Sequence, residues 1–161
     1  MKKLSKRWKN HFMKQAYLAS EMSKDTTKVG SIVVGKSKEI LSTGFNGFPK
    51  KVKELDIRKL PEYKLFYTCH AEQNALDLAK SPVKGASLFT THFPCANCTR
   101  SIIQRGIKRV YYSEKMESKT WKQSLTISNQ MLLEAKIKII HVPYTEKFLC
   151  AEEETSSIKN L

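Results

Sequence analysis

Apolar positions recur along the chain with two periods, and their alternation predicts the fold class. Leu4, Trp8, Phe12, Gln15/Ala16 and Ala19 fall at three- and four-residue steps, which predicts an amphipathic helix over 5–22 with lysines on its outer face. Two β-branched runs, 29–35 and 39–44, are parted by a short polar turn and predict a hairpin. The stretch 45–66 carries Gly47, Pro49, Pro61 and many charges, and a loop that long inside a domain is more often functional than idle. Beyond it the pattern predicts helices over 71–80, 96–105 and 120–135, the second closed by Gly106. Strands are predicted over 86–91, 108–113 and 137–142. The last helix points Trp121, Leu125, Met131, Leu132 and Ala135 inward. An order αββαβαβαβ argues for one α/β domain over 1–161, with its core within about 8–142. Its expected architecture is a five-stranded mixed sheet, a hairpin followed by parallel crossovers, with helices on both faces. The polar tail 151–157 is expected to be loose.

Composition narrows the function classes. The 161 residues carry 29 bases and 15 acids, a net +14, which suits anionic partners without choosing among phosphates, nucleic acid and acidic lipid. Twenty-four of the bases are lysine and five arginine, and residues 1–60 alone hold 15 bases against five acids. Bidentate phosphate or guanine readout favours arginine, and a nucleic-acid channel calls for aromatic residues interleaved with basic ones; no such strip is visible. Nucleic acid is therefore not the expected partner. No apolar stretch approaches the ~20 residues of a membrane span, and Trp8-Lys9-Asn10-His11 stands where the apolar part of an export signal would begin. The expected compartment is the cytoplasm. Cys69, Cys95, Cys98 and Cys150 are too few for a disulfide scaffold, and the spacing Cys95-Ala96-Asn97-Cys98 raises metal or redox chemistry instead.

Two segments carry that chemistry. His70-Ala71-Glu72 opens one predicted helix, and Pro94-Cys95-Ala96-Asn97-Cys98 opens the next. Cysteines three apart in a first helical turn share a face, and a helix N-terminus favours thiolate, so both can hold a cation. His70 supplies a third ligand, and three protein ligands leave tetrahedral zinc one position for water. Glu72 then stands where it can move that water's proton. Residues two apart on a regular helix point roughly 200° apart, so His70 is expected just before the helix proper. Either segment alone fits other readings: C-x-x-C serves redox and structural zinc sites too. Together they match the H-x-E…P-C-x-x-C signature of zinc deaminases, where the glutamate is general acid/base and not a ligand. Cys69 and Cys150 are read as small buried hydrophobes, and Trp8, Phe12 and Trp121 as core. His11, His92 and His141 lack ligand spacing; His92, close to Cys95, is a secondary candidate for lining the site.

From about Trp8 to Val142 the chain resembles the deoxycytidylate (dCMP) deaminase family, within the cytidine deaminase-like three-layer fold. The resemblance rests on Ser23-Lys24-Asp25 ahead of Val29-Gly30, on Thr43-Gly44-Phe45-Asn46-Gly47-Phe48-Pro49, on His70-Ala71-Glu72-Gln73-Asn74-Ala75-Leu76, and on Phe93-Pro94-Cys95-Ala96-Asn97-Cys98. It implies zinc-dependent hydrolysis of dCMP to dUMP and ammonia for thymidylate synthesis, with His70, Cys95 and Cys98 as ligands and Glu72 as proton shuttle. It also implies that Asn46 holds the deoxyribose, the Ala71 backbone reads the base edge, the Phe93 carbonyl receives the amino group and Val29 packs on the ring. Lys24, Thr27 and Lys28 are the nearest candidates for the 5′-phosphate. A homo-oligomer, a hexamer, is implied, with dCTP as activator and dTTP as inhibitor, accompanied by Mg2+, at a second site using Asn46, Gly47, Phe48, Glu54, Asp56 and Lys64. The chain departs from the family pattern in a short 24–29 stretch, in Met116 where relatives carry tyrosine, and in an acidic pair present only loosely as Glu54 and Asp56. Two other readings compete: a tRNA or polynucleotide deaminase, favoured by the charge, and a non-catalytic zinc module, disfavoured by Glu72.

Overall fold

The computed structural model describes residues 3–116 and 118–144. Its elements run α1 (Lys6–Ser20), β1 (Gly30–Val34), β2 (Ile40–Phe45), a 3-10 turn (Asp56–Lys59), α2 (Pro61–Tyr67), α3 (Ala71–Leu78), β3 (Ser87–His92), α4 (Ala96–Gln104), β4 (Arg109–Glu114), α5 (Lys119–Glu134) and β5 (Lys138–His141). The strands form one sheet in the order β2-β1-β3-β4-β5. β1 pairs antiparallel with β2 and β3, while β3/β4 and β4/β5 are parallel, as the hairpin and crossovers required.

Side chains alternate across the pleat and divide the core into two layers. Ile32, Val34, Phe89 and Tyr111 face α1, which contributes Phe12, Met13 and Ala16. Phe89 stacks parallel to Tyr111 at 4.2 Å and meets Phe12 at 5.3 Å. Val33, Leu88 and Val110 face the other way, against Ala75 and Leu76 of α3, Ile102 of α4 and Leu132 of α5. α1 approaches closely because Gly30 has no side chain: a Cβ there would stand 2.0 Å from the Ala16 carbonyl oxygen.

Three expectations need correction. The inward stripe of α1 is Phe12, Met13, Ala16 and Ser20. Trp8 lies at the edge instead, stacked on Phe12 at 5.3 Å with the Lys38 ammonium 4.7 Å above its ring. On α5, Ser128 and Leu132 are the buried residues, while Trp121 and Leu125 are only partly covered. The stretch 45–66 is not wholly loop, since Pro61 and Glu62 open α2. Proline at a first helical position followed by an acid is a start signal present in the sequence. Cys150 and the tail 151–157 lie outside the described residues.

Candidate active site

Parallel crossovers bring helix N-termini to the carboxyl end of the sheet, and the two sequence segments meet there. His70 caps α3 in extended conformation (φ −76, ψ 155), so its imidazole precedes the regular turn in which Glu72 sits. Cys95 caps α4 likewise (φ −73, ψ 171), and Cys98 is that helix's third residue. The His70 Nδ1 atom lies 3.4 Å from the Sγ of Cys95 and 3.4 Å from that of Cys98. All three ligand atoms fall within 4.8 Å of one another. Zinc bonds of ~2.3 Å to sulfur and ~2.0 Å to nitrogen in a tetrahedron separate the two donors by about 3.5 Å, so this trio fits the ion.

The trio is held by bonds between elements. A Cβ at Gly44 would stand 2.3 Å from the Ala75 nitrogen and 2.5 Å from the Ala71 carbonyl oxygen, so only glycine lets β2 lie this close to α3. Ser42 Oγ donates to the Ala75 carbonyl at 2.6 Å, and Asn74 Nδ2 to the Phe45 carbonyl at 2.7 Å. Gly47 and Cys69 exchange both backbone hydrogen bonds, at 3.1 and 2.8 Å, and so fix the residue before His70. α4 is tied to α3 by Ser101 Oγ donating to Gln73 at 2.7 Å and by Arg105 donating to the Leu76 carbonyl at 2.6 Å. From α5, Ser124 Oγ accepts the Ala96 N–H at 3.0 Å, and Ser128 bonds Thr99 at 2.6 Å.

The electrostatics suit a cation. The Cys95 thiol is drawn down to about 4, chiefly by its hydrogen bond from Cys98 and, against burial, by His70. Cys98 is pushed up by sharing its proton with Cys95 and by burial, and His70 is raised by its bond to Cys95. Such a trio keeps a proton on Cys98 that a bound divalent cation displaces. Glu72 is buried, and burial raises its carboxyl above the usual range.

A cavity of about 380 Å³ opens over this floor, within the range of small-ligand sites. Thr27, Val29, Asn46, Ala71 and Phe93 line it beside His70, Glu72 and Cys95. Asn46 is 7% exposed, and its amide already works on the neighbouring loop. Its Oδ1 accepts the Val29 N–H at 2.8 Å and its Nδ2 donates to the Thr27 carbonyl at 2.9 Å, leaving one N–H over. Lys24 and Lys28 do not line the cavity. Lys24 instead pairs with Glu54 at 3.2 Å on the surface.

The residues expected at a second site do not converge on one place. Asn46 and Lys64 line the cavity just described. Gly47 bonds Cys69, the Phe48 ring stacks on Tyr67 at 5.8 Å, and Asp56 pairs with Lys59 at 2.9 Å. Sequence reasoning missed Asp25, Lys64 and Trp121 as lining residues. Trp121 reads as core by its helical spacing, yet its ring centre is 6.0 Å from that of His70. Asp25 stands in the Ser23-Lys24-Asp25 segment and Lys64 among the second-site residues, but no local signal places either at this cavity, because they come from distant segments. His92 does line the cavity, and so does Met116. Cys69 is half-buried rather than core, with burial raising its thiol.

Residues 6–114 match the family model described as the cytidine and deoxycytidylate deaminase zinc-binding region. An uncharacterized deaminase of Aliivibrio fischeri is 36% identical over 140 residues, covering 85% of this chain and 95% of that one. The human deoxycytidylate deaminase is 38% identical over 113 residues, and the match spans 65% of this chain and 64% of the human protein. Among solved structures, the dCMP deaminase of cyanophage S-TIM5 in complex with dCMP and dUMP superposes with a TM-score of 0.71 at 30% identity, covering 86% of this chain and 99% of that one. Fold, ligand trio and these likenesses agree, and the chain belongs to the cytidine and deoxycytidylate deaminase family.

Proposed function

We propose that this enzyme hydrolyses dCMP to dUMP and ammonia, and that His70, Cys95 and Cys98 hold a catalytic zinc. The observation that carries the reading is the trio's geometry beside a buried carboxyl: two sulfurs each 3.4 Å from one imidazole nitrogen, with Glu72 lining the same cavity. The likeness to the phage enzyme bound to dCMP and dUMP supports the substrate. When bound, zinc supplies a water whose pKa falls from ~15.7 toward neutrality. Glu72, lining the same cavity, would take a proton from the attacking water and deliver it to ring N3, which would make C4 electrophilic. As the C4–N bond breaks, Glu72 takes the second proton from the hydroxyl now on C4 and passes it to the leaving amine, so water's oxygen stays on C4 as the carbonyl of dUMP and ammonia departs. Burial raises the Glu72 carboxyl above the usual range, the direction that favours a group that must hold a proton as well as release it. The free N–H groups at the start of α3, Ala71 among them, face the base edge, the Phe93 carbonyl takes the amino group, and Val29 and Trp121 flank the ring.

The reading extends to a cytoplasmic homo-oligomer of hexamer size. Support comes from apolar side chains left exposed around α2: Ile57, Leu60, Leu65 and, at 87% exposure, Phe66. No helix among the described residues is long and apolar enough to cross a membrane. Regulation by dCTP and dTTP with Mg2+ rests on the family resemblance alone. Light scattering at assay concentration should give a particle several times the 18.5 kDa chain mass, and a monomer contradicts the oligomer.

Ammonia release from dCMP, deoxycytidine, cytidine and tRNA, measured in parallel, tests the substrate. dCMP should show the highest kcat/KM. A higher value for tRNA would favour the polynucleotide reading, and no turnover by zinc-loaded protein would favour the non-catalytic one.

A further inference from the structure

A nucleoside monophosphate brings a dianion into the cavity, and that charge calls for a cationic donor. Among the described residues lining the cavity, Lys64 is the one lysine or arginine. Its ammonium bonds Asp25, whose side chain is 8% exposed, while that of Lys64 is 29% exposed. Asp25 is itself fixed: it accepts the Thr27 N–H at 3.0 Å and the Thr26 hydroxyl at 3.2 Å. An ammonium carries three N–H donors, and Asp25 uses one. The nearby alternatives point elsewhere. Lys24 is turned to Glu54, Lys28 is exposed away from the lining, and Lys115 sits 5.4 Å above the Phe93 ring and 5.5 Å above that of Tyr112.

We propose that Lys64, steadied by Asp25, anchors the 5′-phosphate and sets the enzyme's preference for the monophosphate over the nucleoside. This rests on the dCMP reading above and assigns its phosphate contact to α2 rather than to the 24–28 loop. The pairing immobilises a long, rotamer-rich side chain before substrate arrives, which removes part of the ordering cost of binding.

The test compares kcat/KM for dCMP and for deoxycytidine in zinc-loaded wild type, Lys64→Gln, Lys64→Arg and Lys115→Gln, with zinc content and Tm recorded for each. Lys64→Gln should lose about 10- to 100-fold on dCMP, mainly through KM, the size expected of a charged hydrogen bond, with deoxycytidine within about twofold of wild type. Lys64→Arg should recover most of the loss, and Lys115→Gln should keep the wild-type ratio. Equal loss on both substrates, no loss on either, or loss of the ratio in Lys115→Gln instead overturns the assignment. If Lys64→Gln fails to fold, Lys64→Met, which keeps the apolar stem, gives the same reading. A wild type that prefers deoxycytidine overturns the dCMP reading and this inference with it, an outcome visible before any variant is made.

Discussion

The floor of the cavity and its rim use different forces. On the floor, at the starts of α3 and α4, His70, Glu72, Cys95 and Cys98 are tied through buried or half-buried hydrogen bonds to β2, to α5 and to each other's helices. The rim, from 23–29 and 48–68, is held by the Asp25–Lys64 pair, a Phe48–Tyr67 stack and surface ion pairs at Lys24–Glu54 and Lys59–Asp56. Chemistry needs donors fixed to a few tenths of an ångström, whereas recognition of a flexible nucleotide tolerates a softer frame. Changes on the floor should therefore remove the reaction, and changes on the rim should retune it.

The largest effect is expected from the ligands. Cys95→Ala or Cys98→Ala should lower zinc from about one per chain to near zero by metal analysis, with deamination lost in parallel. Unchanged zinc would place the metal elsewhere and break the contrast. Gly44→Ala comes next. The new methyl group meets α3 backbone at 2.3 Å, so it should lower Tm by about 3–9 °C and reduce kcat several-fold by moving His70 and Glu72 together. A variant with wild-type Tm and kcat would show that α3 is not set by this contact.

On the rim, Asp25→Asn should act through stability, and its pH dependence has a definite sign. Burial raises the Asp25 carboxyl, but the Lys64 ammonium and the Thr27 N–H outweigh it and hold it below the usual range. A depressed carboxylate stabilises the fold above its unfolded pKa of ~3.9, and that contribution is lost as pH falls through the lower folded value. The Tm gap between wild type and Asp25→Asn should stay constant from pH 7 to about 5 and close below about pH 4. A gap that widens on acidification contradicts the pairing. The smallest effect belongs to Glu54→Gln: its partner Lys24 is 81% exposed, and such pairs contribute ~0–1 kcal/mol. Chemical denaturation should barely separate this variant from wild type.

The same contrast explains what the sequence made legible. The floor is written in short spacings: H-x-E and P-C-x-x-C each lie within five residues, and each helix start fixes the geometry locally. The strands could be read too, from β-branched and apolar runs such as Ile32-Val33-Val34 and Leu88-Phe89, whose side chains feed opposite layers with period two. The rim could not, because Asp25 and Lys64 stand 39 positions apart and meet only when α2 folds against the 23–29 loop. Nearness in sequence gives Lys24, Thr27 and Lys28 as phosphate candidates; Thr27 lines the cavity, but both lysines face solvent outside it, and the lining lysine, Lys64, is the one the resemblance assigns to a second site. α2 itself is seven residues long with Leu65 and Phe66 exposed, so it carries no amphipathic stripe, only its Pro61–Glu62 start. Asn46 and Gly47 stood out as a motif, but their separate roles emerge only from the folded chain, where Asn46 braces the loop and Gly47 holds the residue before His70.

The central claim is that a buried carboxyl beside a His/Cys/Cys zinc moves the protons of dCMP hydrolysis. Glu72→Gln, assayed for ammonia release from dCMP and for zinc on the same sample, tests it most directly. The account predicts about one zinc per chain with kcat lowered by at least ~10²–10⁴-fold. Near-normal turnover, or zinc lost together with activity, would contradict it.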